Sequence, residues 1–80
     1  QIIPNPARDK VWINIKDTGV RPESVEIFNQ MGQKVLVIKT GTMQLEQNNL
    51  EIDLSHLLTG IYIVCLKNNK FILTSKLIIY

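Results

Sequence analysis

The sequence predicts an all-β domain, because apolar and polar residues alternate along it and no helical period persists beyond a turn or two. Turn-forming residues recur about every ten residues, a spacing that is typical of short antiparallel strands. The 80 residues are 45% hydrophobic and 20% charged, which is the composition of a globular chain rather than a disordered one. We therefore expect residues 1–80 to form a single small domain.

The opening residues 1–9 are expected to form an extended arm that leads into a sandwich over residues 10–80. Pro4 and Pro6 lack amide donors, so they suit the edge of a sheet and not its centre. Asn29 and Gly32 occupy the first and fourth positions of a predicted type I turn within a hairpin. The strands of this half are predicted at residues 10–16, 25–29 and 33–39, with a loop over 17–24.

The second half of the chain begins with a polar stretch at residues 40–49, which predicts a loop with a weak edge strand around 43–45. The apolar run at residues 61–67 predicts a central strand that is covered on both faces. The strands of this half are predicted at residues 50–54, 61–67 and 71–80, and the first of them alternates as a half-buried strand does.

Asn68 and Asn69 predict a two-residue hairpin connection, since asparagine tolerates the positive φ that such turns need. The last strand is expected to carry a bulge near Thr74 and Ser75. Six or seven short strands with connections of Greek-key length indicate an immunoglobulin-like β-sandwich of mainly antiparallel strands.

One predicted corner, at residues 54–62, has a tyrosine just after a glycine. A tyrosine so placed can donate its hydroxyl to a backbone group a few residues upstream and hold two strands together. We therefore expect Tyr62 to be structural, Gly60 to adopt a left-handed turn conformation, and Leu57 to close the end of the core.

The charge distribution is uneven, although the formal net charge is only +2. Residues 1–53 carry six basic and seven acidic side chains, whereas residues 54–80 carry Lys67, Lys70 and Lys76 and no acid. Isolated lysines commonly protect strand edges from pairing, and an anionic partner surface is the alternative. The basic residues form no run, so we expect no nucleic-acid partner. The longest apolar run is residues 61–66, far short of the roughly 20 residues that span a bilayer.

The candidate chemical groups do not form a catalytic pattern, so we expect no enzyme activity. His56 is the single histidine, and its neighbours Asp53 and Ser55 are adjacent in sequence rather than converging from separate segments. The acids are dispersed and have no metal-loop spacing, and Cys65 is the one cysteine, so no metal and no cofactor are expected. Cys65 lies in an apolar strand and is expected to be buried.

Trp12 is the residue that best suits a carbohydrate-stacking platform, because alternation directs it away from Val11 and Ile13. An aromatic residue at an alternating position of a sandwich is, however, more often part of the core. We therefore expect Trp12 in the core, and an accessory carbohydrate-binding or adhesion module of an extracellular enzyme is the alternative function.

Four segments, in order, resemble the type A C-terminal sorting domain of the type IX secretion system of Bacteroidota. Residues 3–10 (IPNPARDK) are similar to the family's YPNPAKD opening, and residues 25–35 (VEIFNQMGQKV) to its glycine-containing hairpin. Residues 52–64 (IDLSHLLTGIYIV) resemble its G-x-Y corner, and residues 76–79 (KLII) its closing strand. Ile3, His56 and Leu58 depart from the residues usual in the family, at positions that tolerate change.

The resemblance implies a seven-stranded immunoglobulin-like sandwich at the carboxyl end of a larger cargo protein. It implies a secretion signal that is recognised by the translocon after transit through the periplasm, with the cargo then at the cell surface or secreted. It also implies removal of the domain by a sortase-like peptidase at the surface. We take the chain to be the end of a longer protein.

A small folded domain without a catalytic site offers a receptor its surface and its strand edges. We expect the translocon to recognise the chain's opening and closing residues together with one glycine. Each also has a structural explanation, namely edge protection for the prolines, the turn for the glycine and solubility for the lysine. The expected recognition residues are Pro4, Asn5, Pro6, Gly60, Lys76, Leu77, Ile78, Ile79 and Tyr80.

Overall fold

The computed structural model describes residues 2–4, 6–14, 22–39 and 49–80, and in this part of the chain it contains seven strands and no helix. The strands are β1 (Ile2–Ile3), β2 (Lys10–Asn14), β3 (Ser24–Phe28), β4 (Lys34–Lys39), β5 (Asn49–Asp53), β6 (Gly60–Lys67) and β7 (Ile72–Ile79). The predicted all-β class is confirmed. The predicted strand at 43–45, the end of the first predicted strand at 15–16 and most of the loop at 17–24 lie outside the described residues.

The strands form two sheets that pack face to face. The three-stranded sheet has the order β1-β2-β5 and the four-stranded sheet the order β4-β3-β6-β7. All of the strand pairs in both sheets are antiparallel. This arrangement fits the immunoglobulin-like sandwich that the sequence predicts.

The core lies between the two sheets and consists of every second residue of each central strand. In β2 and β5 the burial alternates cleanly, so the aliphatic residues face inward, and the polar residues and Trp12 face outward. Burying each such aliphatic side chain contributes about 1.5 to 3 kcal/mol. The buried core residues are Ala7, Val11, Ile13, Val25, Ile27, Leu50, Ile52, Leu54, Tyr62, Val64, Leu77 and Ile79.

The β3–β4 hairpin forms at the predicted turn. The Gly32 amide donates to the Asn29 carbonyl oxygen at 3.0 Å, and the Asn29 amide donates to the Gln33 carbonyl oxygen at 2.9 Å. Asn29 Oδ1 also accepts from the amides of Met31 and Gln33. Gly32 has a φ of 81°, the left-handed conformation that a three-residue hairpin loop requires at this place. The turn residues therefore fix the register of this hairpin.

The β6–β7 hairpin differs by one residue from the prediction. Lys67 pairs with Ile72, so Asn68 lies opposite Phe71 and the central turn residues are Asn69 and Lys70 rather than Asn68 and Asn69. Asn68 Oδ1 accepts from the amides of Lys70 and Phe71, both at 2.7 Å. The side chain of Asn68 thus holds the turn from its first position, which moves the loop one residue onward.

The strand β6 is central, as predicted, but its outer face is only partly covered. It pairs with β3 on one side and β7 on the other. Tyr62 and Val64 are buried, whereas Ile61 and Ile63 are 37% and 40% exposed on the outer face. The expectation of cover on both faces is therefore wrong, because the second sheet packs on one side only. Cys65 is buried, as expected.

The strand β7 pairs with β6 without interruption. The register runs in unbroken steps from Gly60 opposite Ile79 to Lys67 opposite Ile72. The bulge expected near Thr74 and Ser75 is therefore absent from this pairing. A polar pair in the middle of a strand does not need a bulge here, because β7 lies at the edge of its sheet.

Candidate recognition site

Backbone amides hold the corner between β5 and β6 through hydrogen bonds. The amide of Ser55 donates to Asp53 Oδ1 at 2.9 Å, and the Leu57 amide donates to the Leu54 carbonyl oxygen. The Leu54 amide donates to the carbonyl oxygen of Asp9, which ties the corner to the opening segment. Hydrogen bonds from the backbone and the side chain of Ser55, and then the charges of neighbouring residues, hold the pKa of Asp53 below its ordinary value of 3.8.

Tyr62 closes this corner from the core side. Its hydroxyl donates a hydrogen bond of 2.6 Å to the carbonyl oxygen of Leu58, four residues upstream. The ring is 7% exposed and packs in the core, while Leu57 is partly buried against the same core. His56 is exposed in the turn.

Gly60 is not in the left-handed conformation, so that expectation is wrong. It is the first residue of β6 and pairs with Ile79 in regular strand geometry. A Cβ placed on Gly60 would meet Cε1 of Tyr62 at 3.7 Å, which is an ordinary contact. Of the glycines in the described residues, it is Gly32 that has the positive φ. The turn before β6 is closed by hydrogen bonds and not by a special glycine conformation.

The opening segment and the closing strand lie side by side in the structure. The amide of Ala7 donates to the Ile78 carbonyl oxygen at 2.7 Å, and the Tyr80 amide donates to the Ala7 carbonyl oxygen at 2.9 Å. These bonds make a parallel bridge between Ala7 and Ile79, and Ile79 in turn pairs with Gly60. Three parts of the predicted recognition set therefore meet at one end of the four-stranded sheet. We call residues 6–8, Gly60 and residues 76–80 the terminal edge.

The predicted recognition residues divide by exposure. Leu77 and Ile79 are 0% and 2% exposed, so they belong to the core and offer no surface to a partner of the folded domain. Ile78 is half-buried, and the residues that are exposed are Pro4, Pro6, Lys76 and Tyr80. Asn5 lies outside the described residues. Of the described members of the set, Leu77 and Ile79 are therefore the two that a partner cannot contact directly.

Arg8 is a surface residue that the sequence analysis did not include. Its guanidinium lies over the ring of Tyr80, 5.5 Å from the ring centroid, which is a cation–π arrangement. The signal that could have found it is its place in the opening motif, two residues after Pro6. Arg8 and Lys76, both exposed, make the accessible part of the terminal edge cationic.

The opening residues also join the three-stranded sheet. Ile2 pairs with Ile13 and Ile3 pairs with Trp12, so residues 2–3 form a short edge strand, β1. Through β1 and Ala7 the segment predicted as an arm contacts both sheets of the sandwich. Its residues are part of the fold and not an appendage to it.

Trp12 is 41% exposed, so the expectation that it belongs to the core is wrong. It lies on the outer face of β2, opposite Glu51, because strand alternation places Val11 and Ile13 inward. Lys10 and Glu51 form an exposed ion pair of 3.7 Å on the same face. The alternation along β2 correctly predicted that the Trp12 side chain points away from Val11 and Ile13.

No group of three or more histidine, cysteine, aspartate or glutamate side chains is arranged to hold a metal ion in the residues that the structure describes. Within the same residues there is no helix long and apolar enough to cross a membrane.

Comparison with known families decides what this chain is. The family model described as "Secretion system C-terminal sorting domain" matches residues 1–80. The chain belongs to this family. As a sorting domain of the type IX system of Bacteroidota, it directs the protein that carries it to export to the cell surface or to secretion. No curated protein and no solved structure matches this chain.

Proposed function

We propose that the translocon recognises the sorting domain in its folded state, and that it does so at the terminal edge. The observation that carries the proposal is the pair of hydrogen bonds between Ala7 and the closing strand, at 2.7 and 2.9 Å. They bring the opening and closing motifs of the family into one surface, although these motifs stand at opposite ends of the sequence. A receptor that binds this edge would contact both motifs at once. It would bind them together only when the sheet is folded.

The exposed side chains of the terminal edge would be complementary to a receptor surface that carries acidic and apolar groups. Arg8, Lys76 and the 60% exposed ring of Tyr80 are the side chains that it can contact. Arginine and tyrosine are among the residues that contribute most to protein interfaces. Leu77 and Ile79 would act indirectly, because they hold the closing strand against the core.

Membership of the family supports the remaining steps that we propose. The domain crosses the inner membrane with its cargo, folds in the periplasm and is recognised there. A sortase-like peptidase then removes it at the cell surface. The domain itself performs no catalysis and serves as an address for its cargo.

An export assay tests the recognition surface. Residues 1–80 are fused to the carboxyl end of a periplasmic reporter in a host with a type IX system, and the reporter is measured in the medium, at the surface and in the periplasm. We expect the wild-type fusion to leave the periplasm and the Arg8→Glu, Lys76→Glu and Tyr80→Ala variants to remain there. These positions are exposed, so their substitution should leave the fold intact.

Lys70→Glu is the matched control, because Lys70 is an exposed lysine in the β6–β7 turn, outside both motifs and the terminal edge. It should be exported as the wild type is. Circular dichroism and thermal unfolding of each purified variant show whether a loss of export follows a loss of structure. Normal export of the three terminal-edge variants would contradict the proposal.

A second candidate function is favoured by one observation, the exposure of Trp12 on the polar face of the three-stranded sheet. An exposed tryptophan beside Glu51 and Asn14 could stack on a sugar ring while these side chains accept or donate hydrogen bonds. Binding to a panel of immobilised glycans, lost in Trp12→Ala and retained in Lys70→Ala, would support it. A wild-type domain that binds none of the glycans would exclude it.

A further inference from the structure

The two halves of the edge strand β7 differ in whether another segment bonds to the backbone groups that point away from β6. Ile78 and Tyr80 direct their backbone groups away from β6 and bond to Ala7. By the same alternation, the amides and carbonyls of Ile72 and Thr74 also point away from β6. Among the residues that the structure describes, no strand pairs with this first half of β7. Within the described part of the chain, β7 therefore presents a short open edge beside the Asn69-Lys70 turn.

A cavity of about 120 Å³ lies between the two sheets next to this open edge. The strand β1 has only two residues, and Ile2 of this strand lines one side of the cavity. Leu73 points inward at this place but is still 38% exposed. A dry cavity of about 150 Å³ can hold benzene, so this one has room for a single aliphatic side chain. Its lining residues, which we call the β7 groove, are Ile2, Ile13, Val64, Leu66, Leu73, Thr74 and Ser75.

The surroundings of the β7 groove are apolar and cationic. Phe71 and Ile72, beside its open edge, are 51% and 64% exposed. Lys70 and Lys76 are exposed on the same strand and turn, and residues 54–80 contain no acidic side chain. Charge complementarity therefore favours an occupant that carries carboxylates. It disfavours a second copy of this chain placed edge to edge, because the same lysines would face each other.

We propose that the β7 groove binds an extended acidic segment of a partner protein. The segment adds a strand to the first half of β7 through the backbone groups of Ile72 and Thr74. One apolar side chain of the segment enters the cavity between the sheets, and its carboxylates lie near Lys70 and Lys76. Strand addition of this kind takes affinity from main-chain hydrogen bonds and specificity from the pockets for alternate side chains. The proposal concerns a surface separate from the contacts of Ala7 and does not rest on recognition of the terminal edge.

Binding of synthetic peptides to the 80-residue chain tests this proposal. The probe is a short fluorescent peptide in which glutamate alternates with valine, and its affinity is measured by anisotropy. Two matched peptides have lysine in place of glutamate, or N-methyl groups on the backbone amides that would face β7. Nuclear magnetic resonance reports which backbone amides of the domain respond. We expect the glutamate peptide to bind, both matched peptides to bind at least about tenfold more weakly, and the amides of Ile72 and Thr74 to shift most.

Thr74→Pro provides a sharper test within the domain. It removes an amide that points away from β6, so the pairing with β6 is kept, and proline is tolerated at such edge positions. We expect it to weaken binding by at least about tenfold more than Thr74→Val does, since Thr74→Val keeps the amide and measures the effect of the side chain alone. Ser75→Leu should also weaken binding, because its side chain would fill the cavity.

The other outcomes each contradict the proposal. Equal affinity of the glutamate and lysine peptides would show that charge does not select the occupant. Unchanged affinity in Thr74→Pro would show that the peptide does not add a strand to β7. No binding at millimolar peptide would exclude an acidic extended segment as the occupant. Concentration-dependent dimerisation in sedimentation, with Ile72 and Thr74 protected from amide exchange in the absence of peptide, would show that a second copy takes the place instead.

Discussion

Lys67 Nζ lies 2.7 Å from Glu26 Oε1 on the outer face of the four-stranded sheet. Lys34 Nζ lies 3.2 Å from the other carboxylate oxygen, so one carboxylate is held between two ammonium groups. Glu26 is only 8% exposed, which makes this arrangement different from an isolated surface ion pair. The three residues belong to three neighbouring strands and fasten β4, β3 and β6 together from the side away from the core.

The first prediction concerns the pH dependence of this cluster. Lys67, and then Lys34, lower the pKa of Glu26 below its ordinary value of 4.5, and Glu26 raises the pKa of Lys67 above 10.5. A lowered carboxylate pKa stabilises the fold above pH 4.5, and the contribution is lost as the pH falls through the lowered pKa. A raised lysine pKa stabilises the fold below pH 10.5, and that contribution is lost as the pH rises through the raised pKa.

We therefore expect Glu26→Gln to lower the melting temperature at neutral pH and to make little difference below the lowered pKa of Glu26, where this residue is protonated in the folded wild type as well. Thermal unfolding of both proteins across the acid range measures the gap between them. Glu51→Gln, which breaks the exposed pair with Lys10, is the control and should have a small effect. A gap that does not close in acid would show that the charge of Glu26 is not what stabilises the sheet.

The second prediction concerns the hydroxyl of Tyr62. Tyr62→Phe removes its 2.6 Å hydrogen bond to Leu58 and keeps the ring in the core. The free energy of unfolding should fall by about 0.5 to 1.5 kcal/mol, as for other single hydrogen bonds. Urea denaturation measures the change. Tyr80→Phe is the matched control, because Tyr80 is 60% exposed, and a loss of equal size there would contradict a specific role for the corner bond.

The third prediction compares two glycines. Gly32→Ala forces a side chain into a backbone with φ of 81° and should cost about 1 to 2 kcal/mol. Gly60→Ala should be nearly neutral, because its Cβ would meet Tyr62 at an ordinary 3.7 Å. Denaturation of both variants gives the comparison. If Gly60→Ala keeps its stability but is not exported, Gly60 is recognised as part of the terminal edge. If it unfolds, the regular strand geometry described for it is wrong.

The fourth prediction separates the two kinds of residue in the closing strand. Leu77→Ala removes a fully buried side chain and should cost about 2 to 5 kcal/mol. The free energy of unfolding of a domain of this size is only about 3 to 5 kcal/mol, so this variant should be largely unfolded at 37 °C. Lys76→Ala, at the neighbouring exposed position, should fold normally by circular dichroism. A folded Leu77→Ala would place β7 outside the core.

The sequence predicted those features that depend on neighbouring residues. Alternation located the strands to within a residue or two at most ends, and Asn29 with Gly32 located the β3–β4 turn. Where one local signal competed with another, the prediction was less accurate. The side chain of Asn68 moved the β6–β7 turn by one residue, and the apolar run of β6 concealed that Ile61 and Ile63 face outward.

Long-range pairing was beyond the sequence patterns. Nothing in the sequence of residues 1–9 indicates that Ala7 bridges to Ile79. A parallel contact between residues far apart in the sequence produces no periodic pattern of apolar residues. The motifs did mark both segments as candidates for recognition, but it took the structure to show that they are one surface. The same knowledge of the fold shows that Leu77 and Ile79 support this surface from beneath and are not part of its exterior.

The bridge between Ala7 and Ile79 also has a mechanical consequence. A pulling force applied through residue 1 would load the short β1–β2 pairing first and then the bonds between Ala7 and the closing strand. Those bonds are few, so the opening segment would peel away before the paired strands of the large sheet yield. Peeling would expose the backbone of Ile78 and Tyr80 at the end of β7, so tension on the cargo and the accessibility of this strand end are coupled.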